Sequence, residues 1–258
     1  MKIVTLLIVI VLLCSCTSVK KKSDFADNVV VAHRGAWKDK GLPENSIAAL
    51  RNAISLGCTG SEFDVRMTLD DVLIVTHDAE YNDLDIEATP FAELRKTPLA
   101  NGEPLPTLQQ YLLAGMENNT TTRLVCEIKP SKSKERSILI AEKVAQLIEE
   151  LKAQEKVIYI SFSYDILKRL EEIDPKVHTQ YLDGSKTPDQ LKTDGIDGAD
   201  YYFSIFKKHP EWIVSARKKD ISLNAWTINK ETDIDWFLKK DFDFITTNEP
   251  ELVLEKSK

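Results

Sequence analysis

In the run "SEFDVRM" polar and apolar residues alternate, so Glu62 and Asp64 fall on one face of a strand while Phe63 and Val65 fall on the other. The run "RLVCEIK" repeats the pattern. Leu124, Cys126 and Ile128 share an apolar face, and Val125, Glu127 and Lys129 share the opposite one. Three carboxylates turned into one interior are costly unless they are paired or bind a cation, because an unpaired ion is poorly solvated there. Glu62, Asp64 and Glu127 together make an all-oxygen ligand set suited to Ca²⁺ or Mg²⁺, with no soft sulfur ligand to favour zinc. An E-x-D pair alone would be read as solvated acids at a strand end; the neighbours change that reading. Two of the four histidines stand at comparable positions, His33 directly after "VVVA" and His77 at the close of "LIVTHD". Such a pair suits general acid and general base work. Arg34 and Lys129 supply local positive charge that an anionic substrate would need. His178 and His209 have no comparable company and are read as structural.

These residues need a frame that brings distant strand ends together. Eight β-rich runs, "VVVAH", "SEFDV", "RLVCEIK", "VIYIS", "HTQYL", "ADYYF", "SLNAWT" and "DFITT", alternate with amphipathic stretches. The first such stretch spaces Ile47, Leu50, Ala53, Ile54 and Gly57 as a helix ending at glycine would. Strand–helix alternation points to a parallel sheet, and eight units favour an α/β fold of the closed (β/α)₈ barrel type over residues 29–255. In such barrels the active site lies at the C-terminal ends of the strands, which is where the residues above fall. One stretch, Val72 to Gly115, departs from the rhythm with an extra strand, turns and short helical pieces. It is read as a small inserted subdomain between the second and third strands, placed to shape the pocket.

The formal net charge of −7 over 258 residues argues against nucleic acid as a partner, which needs a basic footprint. Lys2 and the apolar run Ile3 to Leu13 have the length of a signal-peptide core and are too short to span a bilayer. Leu13-Cys14-Ser15-Cys16 resembles a bacterial lipoprotein box. Residues 1–16 are therefore expected to be a signal peptide with Cys16 lipidated, residues 17–28 a polar tether, and the protein an exported, membrane-anchored lipoprotein on the periplasmic or cell-surface side; the plainer alternative is a soluble secreted chain. Cys58 and Cys126 sit in apolar settings and are expected to be small buried residues without a disulfide.

The segments "HRGAWKDKGLPENSIAAL", "SEFDVRMTLDDVLIVTHD", "PLPTLQQYL", "CEIKP", "ISFSYDIL" and "AWTIN", in that order, resemble the glycerophosphodiester phosphodiesterases from about Val29 to Glu251. The resemblance implies a barrel with a small insertion, a divalent cation, and hydrolysis of glycerophosphodiesters to sn-glycerol 3-phosphate and an alcohol. It makes Glu62, Asp64 and Glu127 metal ligands, His33 and His77 the acid and base, Arg34 and Lys129 phosphate contacts, and Trp226 an aromatic near the glycerol. Trp226 reads equally as a core residue. Glu44 and Asn45, in "PENS", match the pattern but read also as a helix start. The family often carries T-D-x-P after its last strand, where this chain has "TTNEP", so Asn248 is not carried over as a site residue. Two rival readings share the fold: a barrel phospholipase acting on intact or lyso-phospholipids, and a non-catalytic lipoprotein that binds glycerol phosphates or glycans.

Overall fold

Residues 25–258 are described by a computed structural model; the expected signal peptide and Cys16 lie outside them. Eight parallel strands form a closed barrel: β1 (Val30–Ala32), β2 (Gly60–Met67), β3 (Arg123–Ile128), β4 (Val157–Ser161), β5 (His178–Tyr181), β6 (Gly198–Tyr202), β7 (Ser222–Trp226) and β8 (Phe244–Thr247). Closure is made by β1, which pairs Val31 with Gly60 of β2 on one side and with Thr246 of β8 on the other.

Alternation along the strands sorts the side chains into two layers. Phe63, Val65, Leu124, Cys126 and Ile128 turn outward and join one large core with the surrounding helices. Each such buried side chain contributes roughly 1.5–3 kcal/mol. Inside the barrel the apolar packing is small, formed around Val31, Val125, Ile158, Ile160 and Leu182. Gln180, Asn224 and Thr246 fill part of the remaining interior and hydrogen-bond to one another, Asn224 Nδ2 to Gln180 Oε1 at 3.3 Å and Thr246 Oγ1 to Asn224 Oδ1 at 3.0 Å. Cys58 and Cys126 are buried free thiols, and burial pushes both pKa values up.

Between β2 and β3 the chain leaves the barrel. The strand Leu73–Val75 runs antiparallel to β2, pairing Val75 with Val65, and a two-stranded hairpin follows at Glu80–Tyr81 and Leu84–Asp85. Ile74, Ile86, Leu94 and Leu105 give this excursion its own small core. The helix Leu108–Met116, read from sequence as part of the excursion, belongs to the outer ring: Leu108, Tyr111 and Leu112 join the main core, and the Tyr111 and Phe63 rings lie 4.6 Å apart.

Candidate active site

The first βα turn is built around backbone conformations that few residues tolerate. Arg34 and Gly35 both take left-handed φ values, 57° and 82°. At Gly35 a Cβ would come within 2.7 Å of Ala49 in the following helix, so "HRG" requires its glycine for both conformation and space. This turn aims the Arg34 backbone N–H at Glu62, donating to Oε2 at 2.8 Å. The segment after it does more than start a helix. Ser46 is the N-cap of Ile47–Leu56, accepting from the Ala49 N–H. Asn45 donates to Asp64 Oδ2 at 2.8 Å and accepts from the Asp64 N–H, while Glu44 accepts from Arg34 at 2.5 Å. Glu44 and Asn45 thus hold the arginine and one of the acids in place.

Glu62, Asp64 and Glu127 converge as their strand positions predict, with one oxygen of each lying within 4.8 Å of the others, and all three are buried. Glu62 Oε1 is buried without a partner among the described residues. Lys129 Nζ ion-pairs with the other two acids, 2.8 Å from Asp64 Oδ1 and 2.7 Å from Glu127 Oε1. The charges are uneven. Burial, then the neighbouring acids, push Glu62 well above the carboxylate range. Burial and Asp64 likewise raise Glu127 to about 7. For Asp64 burial acts upward too, but Lys129, Asn45 and His77 outweigh it and hold the group at about 2. Three converging buried acid oxygens, that of Glu62 without a partner and those of Asp64 and Glu127 sharing one lysine, fit a hard divalent cation.

The two histidines sit differently. His33 follows β1, its Nδ1 2.7 Å from Asn248 Oδ1 and its Nε2 4.0 Å from Glu62 Oε2. Burial, with the Arg34 charge adding, lowers its pKa to about 4, so the ring is neutral at physiological pH. An acceptor at Nδ1 places the ring proton there and leaves the Nε2 lone pair free. His77 is partly exposed; its Nδ1 lies 2.8 Å from Asp78 Oδ1, and Arg66 of β2 donates to its carbonyl at 2.8 Å. The Leu73–Val75 strand carries His77 to the mouth, helped by the Thr76 N–H bond to the Asp64 carbonyl.

His33, Arg34, Glu62, His77, Glu127 and Lys129 line one cavity of about 140 Å³, together with the apolar side chains of Ile160, Phe162, Leu182 and Trp226. Trp226 is therefore both packed and pocket-lining: Nε1 donates to the Asp200 carbonyl, and its ring meets Phe162 and Tyr202 edge-on at 5.5 and 5.3 Å. His178 bonds near the other end of the barrel with Gln180 and Ser222, and His209 stacks on Trp212; both lie apart from the cavity. Asn248, set aside at the sequence level, touches His33 and is a site residue. Its place directly after the last strand was the available signal.

Residues 33–252 match the model of the glycerophosphoryl diester phosphodiesterase family. A glycerophosphodiester phosphodiesterase of Caldanaerobacter subterraneus is 30% identical over 247 residues, 88% of this chain and 96% of that protein. The crystal structure of a glycerophosphodiester phosphodiesterase from Parabacteroides distasonis superposes with a TM-score of 0.87 at 35% identity, covering 90% of this chain and 98% of that one. An Oleispira antarctica phosphodiesterase, solved in complex with the product sn-glycerol-3-phosphate, shares the fold with a TM-score of 0.75 at 21% identity, over 88% of this chain and 95% of that one.

Proposed function

We propose, for a chain that belongs to the glycerophosphoryl diester phosphodiesterase family, that its barrel mouth hydrolyses glycerophosphodiesters to sn-glycerol 3-phosphate and an alcohol. The observation that carries the finer reading is the convergence of three buried acids with two cations and two histidines at one barrel mouth. Glu62, Asp64 and Glu127 would hold Ca²⁺ or Mg²⁺, which when bound supplies Lewis-acid charge at the phosphoryl oxygens. Arg34 and Lys129 bind the same anionic group and offset the charge that grows on it. His33, neutral with its ring proton held by Asn248, takes the proton of the attacking hydroxyl at Nε2. His77, backed by the Asp78 carboxylate, gives a proton to the departing alkoxide oxygen. Trp226 lines the side of the cavity on which the glycerol carbons would lie.

The direct test is a panel of glycerophosphodiesters with enzymatic detection of sn-glycerol 3-phosphate. Release from glycerophosphocholine or its analogues is the expected result. Turnover of intact or lyso-phospholipids alone would move the assignment to a phospholipase, and no turnover of either class would leave a binding protein.

Asn248 gives a finer test. The base must be neutral, so activity is lost as pH falls through its pKa. Asn248→Asp places a carboxylate beside Nδ1 and stabilises the imidazolium, so the acidic limb of kcat/KM is expected to move to higher pH. Asn248→Ala removes the orienting bond and is expected to lower kcat by ~10- to 100-fold, the usual effect of losing such a partner. A pH profile unmoved by Asn248→Asp would remove His33 as the base.

The same reading includes export and a membrane tether at Cys16, outside the described residues, supported by the apolar run and the Leu13-Cys14-Ser15-Cys16 pattern. In a bacterial host Cys16→Ala is expected to shift the protein from membranes to the soluble exported fraction with kcat unchanged. Membrane retention of that variant would overturn the tether.

A further inference from the structure

The cavity has a charged half and an apolar half. Arg34, Lys129, the histidines and the acids line the first, and Ile160, Phe162, Leu182 and Trp226 line the second. Asp200, on β6, breaks the division. Its neighbours Ala199 and Tyr201 join the outer core, so alternation turns Asp200 into the barrel, where it lines the cavity. It is 1% exposed, and its Oδ1 has no hydrogen-bond partner among the described residues. The polar groups around it are engaged elsewhere. Asn224, its register partner on β7, bonds with Gln180 and Thr246, and Trp226 Nε1 is directed to the backbone carbonyl of Asp200 and not to its carboxyl. Burial, with the charge of Glu127 adding, pushes its pKa well above the ordinary value and so favours the neutral carboxyl, a form that can both donate and accept.

A buried, unpaired carboxyl in an apolar wall is costly unless a ligand completes it. We propose that Asp200 is a specificity-determining residue that hydrogen-bonds a hydroxyl of the substrate's glycerol group. The proposal rests on the glycerophosphodiesterase reading. With the phosphoryl group at Arg34 and Lys129, the carbon chain lies along Leu182 and Trp226, and a hydroxyl on it meets the Asp200 carboxyl. A ligand without hydroxyls leaves that carboxyl desolvated and unpaired, which is the condition under which a site rejects an analogue strongly.

sn-Glycerol 3-phosphate and n-propyl phosphate share a phosphate and a three-carbon chain and differ in two hydroxyls, so their affinities for the full chain, measured by calorimetry, isolate the contact. The wild type is expected to bind the glycerol phosphate about 10- to 100-fold more tightly, the range in which losing one buried hydrogen-bond partner falls. Asp200→Leu is expected to bring the two ligands within about 3-fold, by weakening the glycerol phosphate and leaving propyl phosphate nearly unchanged. Asp200→Asn, which keeps a donor and an acceptor, is expected to retain most of the preference. Asp200→Ala gives the same comparison should the leucine variant fail to fold. Equal weakening of both ligands, or a wild type that does not tell them apart, overturns the proposal. A wild type that turns over no glycerophosphodiester overturns the functional reading itself, and Asp200's role with it. Turnover with an unchanged preference in Asp200→Leu overturns the role alone.

Discussion

Glu62→Gln, Asp64→Asn and Glu127→Gln are each expected to lower kcat/KM on a glycerophosphodiester by ~10³-fold or more, the rate equivalent of about 4 kcal/mol of lost charge stabilisation. Each substitution keeps the side chain's shape but removes one acid from a set whose oxygens converge within 4.8 Å. Excess chelator is expected to have the same effect on the wild type, reversed by Ca²⁺ or Mg²⁺. Thermal melting gives a second readout that does not depend on turnover. Without a cation, Glu127 titrates near 7 in the fold against an ordinary 4.5, because burial and Asp64 disfavour its charge. A group raised in this way contributes stability that is fully present below 4.5 and is lost as pH rises through about 7, and Glu62 moves in the same direction. A cation binds the deprotonated acids, so the rise in Tm on adding it should grow between pH 5 and 8. The growth should shrink in Glu127→Gln, which leaves only Glu62 to contribute it. Full activity in chelator, or a Tm that ignores added cation, would remove the metal assignment.

His33→Ala and His77→Ala are expected to lower kcat by at least ~100-fold, since acid or base assistance is worth ~10²- to 10⁴-fold. Their structural costs differ. His77 is partly exposed, and its loss should leave Tm nearly unchanged. His33 is bonded to Asn248, so its loss is expected to cost about 1–3 kcal/mol of stability for the bond and the amide left unpaired. A diester with a 4-nitrophenol leaving group separates the roles, because so weak a base needs little protonation as it departs. That substrate is expected to restore most of the rate of His77→Ala and none of that of His33→Ala. Rescue of His33→Ala instead would exchange the two roles. Near-normal kcat in both variants on glycerophosphodiesters would end the acid–base assignment.

Much of this site was legible in one dimension. A period of two put Glu62 and Asp64 on the face opposite Phe63 and Val65, and Glu127 opposite Cys126; the outer core confirms the division. The eight-fold alternation of strand and helix patterns implied a closed barrel, and closure is what lets residues from β2 and β3 face His33 at the end of β1. Other roles carried signals that more than one function could explain. "PENS" reads as a cap, and Ser46 is one, yet Asn45 clamps Asp64 and Glu44 holds Arg34. Lys129 reads as a phosphate contact, and the fold also seats it between Asp64 and Glu127.

By itself, then, the amino-acid order determined which residues form strands and helices and which way each strand side chain points, because both follow from local periodicity and from the cost of exposing apolar surface. Tertiary structure alone decided which of those side chains meet. Asn248 reaches His33 across 215 residues because β8 closes against β1 in one register. Asp200 comes to lie unpaired in the cavity wall because its register partner on β7, Asn224, is bonded to Gln180 of β5 and Thr246 of β8. Register around a closed barrel is set by the packing of all eight strands together, and no local pattern in the chain encodes it.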